Sequence, residues 1–162
     1  MINIINLFDP EGFEPGNSRE KYKSSYKQIS EKMGTKDLGF HIKIMQPKTF
    51  SFPYHWHSKE EELAIVLQGE ATVRINNQFH SLKPGDLVYF GTGPESAHHI
   101  YNHSDQPFKF LALSNQEPEE MCYYPDSNKQ NDRGLITQNG QKVEYFKDEE
   151  DPSVYWPKDK LE

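Results

Sequence analysis

His55-Trp56-His57-Ser58-Lys59-Glu60-Glu61-Glu62-Leu63-Ala64-Ile65-Val66-Leu67-Gln68-Gly69 is the stretch on which the reading of this chain turns. Side chains alternate along an extended strand, so His55 and His57 point to one face and Trp56 to the other. Phe50, Phe52, Pro53 and Tyr54 precede the pair, so this strand is not fully solvated. The three carboxylates separate by parity. Leu63, Ile65 and Leu67 share a face with Glu61, while the smaller Ala64 and Val66 share the other with Glu62. Small side chains leave room in a narrow interior, which makes Glu62 the better ligand candidate, Glu61 the second, and Glu60 a solvent-facing residue. Two imidazoles and a carboxylate form a mixed nitrogen and oxygen donor set. Such a set suits a transition metal with open positions better than a closed thiolate zinc site. A third imidazole can come from His98 or His99, which are adjacent and point to opposite faces, so one of them at most joins the set.

Working outward, the flanking sequence reads as short strands. Phe40, Ile42 and Ile44 alternate with His41, Lys43 and Met45. Ala71 to Ile75 and Gln78 to Leu82 flank Asn76-Asn77, a pair that tolerates positive φ and predicts a hairpin. Lys83-Pro84-Gly85-Asp86 is a further turn. Leu87 to Phe90, His98 to Tyr101 and Phe108 to Ser114 complete the series. This spacing predicts an all-β, antiparallel sandwich or barrel. Ser18 to Met33 is the one stretch that reads as a helix of some length, capped by Ser18 and ended by Gly34, with an extended reading for part of it as the alternative. Tyr123 to Asn128 reads as a turn, Lys142 to Phe146 as one more short strand, and Trp156 as an apolar anchor for the tail on the barrel or on a partner subunit. The chain divides into an N-terminal extension (1–37) packing on the barrel, a barrel core (38–114) and a C-terminal extension (115–162).

The whole chain sets limits. Its 162 residues fit one domain, and the apolar fraction of 34% with 13% aromatics is enough for one core. Lys+Arg is 18 against 25 Asp+Glu, a formal net charge of −7 with three arginines (Arg19, Arg74, Arg133), which argues against nucleic-acid binding. No apolar run approaches the roughly 20 residues that span a bilayer. Met1 to Ile5 lacks the basic and apolar regions of a secretion signal. Cys122 is the single cysteine, with no His close in sequence. These features predict a cytoplasmic protein.

The motifs resemble the cupin superfamily. His55, His57, Glu62 and Gly69 stand at the spacing of its first motif, and the position of Gly69 also selects Glu62. Gly85, His98 and Asn102 stand at the positions of the second. Two departures occur: Thr49 replaces a glycine ahead of the first motif, and Gly91-Thr92-Gly93 replaces a Pro-x-Gly turn, with a loop to His98 longer by two residues. The resemblance implies a jelly-roll barrel, an antiparallel double-stranded β-helix, with irregular N- and C-terminal extensions. It selects His98 over His99 and implies one divalent transition metal (Fe, Mn, Ni or Zn) held by His55, His57, Glu62 and His98. Two coordination positions would stay open. It further implies a small-molecule ligand, a homodimer formed through outer faces carrying Trp56, Tyr101 and Trp156, and no defined activity. A dioxygenase is the first expectation. A metal-dependent isomerase or lyase, and a non-catalytic module for a sugar or organic anion, are the alternatives. Tyr54, Tyr89 and Phe90 are candidates for lining the pocket, with core packing as the competing role. The residues identify no general base.

Overall fold

The structure is a computed structural model that describes residues 4–161. Met1 to Asn3, part of the segment read as no secretion signal, lie outside the described residues. The strands in chain order are β1 (Glu14–Pro15), β2 (Ser24–Gln28), β3 (Leu38–Met45), β4 (Trp56–His57), β5 (Glu62–Gln68), β6 (Ala71–Ile75) and β7 (Gln78–Leu82). They continue as β8 (Leu87–Phe90), β9 (His98–Tyr101), β10 (Phe108–Asn115), β11 (Met121–Tyr124), β12 (Lys129–Asp132), β13 (Leu135–Gln138) and β14 (Gln141–Lys142).

Three antiparallel sheets build a jelly-roll barrel, ordered β1-β2-β3-β10-β5-β8, β14-β13-β12-β11-β4 and β7-β6-β9. The apolar core lies where the first and third face each other. Met45, Ala64, Val66, Phe90, Phe108 and Phe110 meet Ala71, Val73, Leu82 and Ile100 there. The parity read on β5 holds: Ala64 and Val66 are buried inward, while Leu63 and Ile65 stay half-buried on the outer face. Asn76 and Asn77 both adopt positive φ in the β6–β7 hairpin, as their side chains permit. Gly69 has φ +81°, and a Cβ there would lie 2.5 Å from Pro107 O, so a second chain segment passes too close for any side chain.

Three local expectations change. Ser18 to Met33 is not one helix. It holds a 3-10 turn (Glu20–Tyr22), strand β2 and a single helical turn, α1 (Ser30–Met33). Pairing of β2 with β3 satisfies its backbone and buries Lys27, which outweighs weak helix propensity. Strand character in Lys142 to Phe146 reaches only Lys142, because Phe146 leaves the edge to pack on Tyr22. Tyr123 and Tyr124 close β11 before the turn begins, since their partners on β12 extend the ladder.

The tail covers the outer face of the β7-β6-β9 sheet. Trp156 and Tyr101 are each 5% exposed and pack with Tyr22 and Phe50. They are therefore not surface aromatics free for a dimer contact, because the chain's own C-terminal segment occupies that face. Trp56 faces away from the site and stacks on Tyr123, 4.2 Å between centroids.

Candidate metal centre

Three strands and an isolated bridge bring the predicted donors together. His55 forms an isolated bridge with His98 at the head of β9, His57 ends β4, and Glu62 opens β5 opposite Phe90 of β8. Ligand atoms of His55, Glu62 and His98 lie within 4.8 Å of one another. Glu62 Oε2 is 3.0 Å from His98 Nε2 and 3.4 Å from His57 Nε2.

The tautomers are set from behind. His55 Nδ1 lies 2.8 Å from Pro53 O and His98 Nδ1 3.1 Å from Ser96 O. His57 Nδ1 lies 3.2 Å from Glu120 Oε1. Carbonyl and carboxylate oxygens accept only, so in the neutral rings Nδ1 carries the proton and Nε2 keeps a lone pair. His57 and His98 Nε2 lie against Glu62, with a His55 ligand atom close by, and the carboxylate also offers only lone pairs. His57 Nε2 is buried and has no hydrogen-bond partner among the described residues. Acceptors pressed together without a donor are a configuration that a cation relieves, so the donor set fits a metal ion. Burial drives the His55 pKa down to about 3, with His98 and His57 adding to the effect, so this imidazole is neutral and free to donate its lone pair. Burial raises the Glu62 carboxyl, but His98 at 3.0 Å and the other surrounding imidazoles outweigh it and hold the pKa at about 2.

Glu120 is the residue that sequence reading missed. Besides facing His57, it accepts the backbone N–H groups of Ser58 (2.9 Å), Lys59 and Glu60 (both 2.8 Å). One carboxylate thus ties the loop carrying the acidic run and orients a histidine. Cys122 was missed as well. It pairs with His57 across β4 and β11, and its thiol falls within 4.8 Å of His55 and His57 ligand atoms. Burial pushes that thiol up to about 12, so it is protonated. Both residues lie more than 60 positions from the His-x-His pair, so no spacing motif signals them.

The other acidic residues sort differently from expectation. Glu60 is tucked inward, accepting Glu117 N–H at 3.1 Å and approaching His57 Nδ1 at 3.9 Å, because Glu120 folds its loop over the site. Glu61 turns outward and hydrogen-bonds the Tyr89 hydroxyl. Tyr89 is 55% exposed and does not face the site. Tyr54 is buried elsewhere, under the Arg74 guanidinium at 3.7 Å. Phe90 does reach the site, its ring stacked on His98 at 3.7 Å. His99 is not on an open outer face. It is 1% exposed beneath Trp156, whose Nε1–H donates to His99 Nδ1 at 3.2 Å.

Small apolar walls surround the donors: Ala64, Ile100, Phe110 and Ala112 adjoin His55, Glu62 and His98. Beyond Ser51 and Phe52 lies a larger cavity of about 550 Å³, lined by β2, β3 and both extensions. His41 and Gln28 line this cavity and also a smaller one that reaches Glu62.

Comparison with known proteins agrees with this fold. A model of the cupin domain matches residues 41–114, so the chain carries a cupin domain there. An uncharacterised protein of Methanocaldococcus jannaschii is 32% identical over 60 residues, which cover 37% of this chain and 46% of that protein. The chain thus spans about half the length of that curated relative. A candidate sugar phosphate isomerase from Acidithiobacillus ferrooxidans superposes with TM-score 0.74 at 23% identity, covering 87% of this chain and 90% of that one. A sugar phosphate isomerase of the cupin superfamily from Silicibacter pomeroyi gives TM-score 0.69 at 24% identity, covering 75% and 80%. At these identities the likeness is one of fold. Among the described residues no helix is long and apolar enough to cross a membrane.

Proposed function

We propose that the chain is a metal-dependent cupin enzyme of the cytoplasm that moves a proton on a small hydroxy or carbonyl compound, as an isomerase or lyase. His55, His57, His98 and Glu62 are the ligands of one divalent transition metal. The observation that carries this reading is the approach of His57 and His98 Nε2, and of a His55 ligand atom, to Glu62, with an acceptor behind each Nδ1. A divalent ion bound there would supply Lewis acidity to polarise a carbonyl or hydroxyl. The side chains do the rest. Phe90, Ile100 and Phe110 exclude water around the donors. His41 is the candidate general base, because burial first and Lys43 second lower its pKa and keep the imidazole neutral beside Glu62. A homodimer is part of this proposal, formed through a face other than that of Trp156, which the chain's own tail covers.

The dioxygenase reading draws support from the apolar wall beside the donors. The polar groups His41, Lys43 and Tyr145 in the larger cavity favour proton transfer instead. Protein purified without added metal is assayed by elemental analysis, then incubated with hydroxy-carbonyl compounds in D2O while oxygen is monitored. Deuterium incorporation without oxygen consumption is the expected result. Iron with substrate-dependent oxygen uptake turns the assignment to a dioxygenase, and a chain that neither carries nor takes up metal ends both.

A further inference from the structure

Lys43 is a buried cation in an interior position. It lies on β3 between His41 and Met45, all three on the inward face, and is 5% exposed. Its Nζ donates to Ser51 O at 2.7 Å and sits 3.3 Å from the Phe52 ring centroid. Among the described residues it makes no ion pair. Lys129 makes the contrast: equally buried, it meets Glu149 Oε2 at 2.9 Å and two backbone carbonyls. A buried charge without a counter-charge is costly, and a methionine would fill the same place at no such cost. Burial alone lowers the Lys43 pKa to about 7.

What Lys43 faces is the cavity of about 550 Å³. Tyr26 and Gln28 of β2, His41 of β3 and Tyr145 of the tail line it. Glu14, Glu31 and Lys32 belong to its exposed rim, where Glu14 is taken up by the Tyr26 hydroxyl at 3.3 Å. The deep charge is therefore positive and has donor capacity to spare, since one carbonyl uses one of three N–H groups. His41 and Gln28 also line a separate, smaller cavity that reaches Glu62.

We propose that Lys43 is the anion-binding subsite of this cavity. Its ammonium holds the carboxylate or phosphate of a small hydroxy compound whose other end reaches the Glu62 side past His41. This rests on the reading of the site as metal-dependent, and it names the substrate class: a compound of sugar-acid or sugar-phosphate size carrying one anionic end. Lys43 selects that substrate rather than reacting with it.

The test is titration calorimetry of the full chain, with its metal content as purified, against glycerol 3-phosphate, glycerate and glycerol. One of the two anions binds at least about tenfold more tightly than glycerol, as expected for a desolvated charge pair. Which anion does so distinguishes phosphate from carboxylate. In Lys43→Met and Lys43→Gln the preference falls to about twofold or less, with metal content unchanged, and Lys43→Arg retains part of it. The proposal is overturned when neither anion outbinds glycerol on the wild type, or when the preference survives in the folded Met or Gln variant. A wild type that binds no metal yet loses its anion preference in Lys43→Met defeats the proposed function and leaves the subsite standing.

Discussion

His98 and His99 are neighbours on β9, and the two faces they define differ in kind. On the His98 face the polar atoms converge without donors between them: Glu62 Oε2 stands 3.0 Å from His98 Nε2 and 3.4 Å from His57 Nε2. On the His99 face aromatic rings close over the imidazole, with Phe50 at 4.9 Å and Trp156 at 5.6 Å between centroids. The same residue type is poised for a cation on one side and serves as packing on the other. What separates them is the back of the ring. A histidine whose Nδ1 is held by a carbonyl presents Nε2 forward. A histidine whose Nδ1 accepts from an indole turns its remaining N–H into the protein and has nothing left to offer a metal.

Substitutions on the two faces should therefore separate cleanly. His57→Ala is expected to remove metal from the purified protein altogether, read as molar metal content, while His99→Leu keeps it. Equal metal content in the two variants would break the contrast. Trp156→Ala is expected to lower stability by about 3–5 kcal/mol in urea unfolding, since it strips a buried indole from the His99 face, and to leave metal stoichiometry intact. Glu120→Gln should weaken metal affinity by about 10- to 100-fold in competition with a chelator, because it loosens the orientation of His57 rather than removing a donor.

Two pH trends sharpen the comparison. The folded His55 pKa of about 3 lies below its unfolded value near 6.5. The unfolded chain then takes up the proton first, so stability is full above about pH 6.5 and falls toward pH 3. Glu62 adds a loss from about pH 4.5 down to about 2, for the same reason. Denaturation midpoints of metal-free protein measured across this range should drop, and a His55→Gln variant should drop less. Lys43 works at the other end. Its folded pKa of about 7 is below the unfolded value near 10.5, so its contribution to stability improves as pH rises from 7 to 10.5. Lys43→Met should therefore exceed the wild type in stability at pH 7 and lose that advantage near pH 10.

Much of the candidate site was legible in the chain. Strand parity chose Glu62 among three glutamates, and the structure sets its carboxylate against His57 and His98. Period-two alternation and paired asparagines marked most barrel strands, because these are local consequences of backbone geometry. The stretch from Ser18 to Met33 misled, since an edge for pairing with β3 is a property of the sheet and not of the segment. Tyr54 and Tyr89 misled because aromatic character says nothing about which cavity a ring meets.

By itself, the sequence determined the barrel class, the donor types and the inward parity of Glu62, all of which follow from side-chain chemistry repeated at fixed backbone periods. Only the tertiary structure decided which groups stand behind the histidines and what lies beside them. Glu120, Cys122, His41 and Lys43 reach the site region through packing between segments far apart in the chain, and burial then sets the charge of the last three. Those contacts depend on the closure of the sheets, which no local spacing encodes.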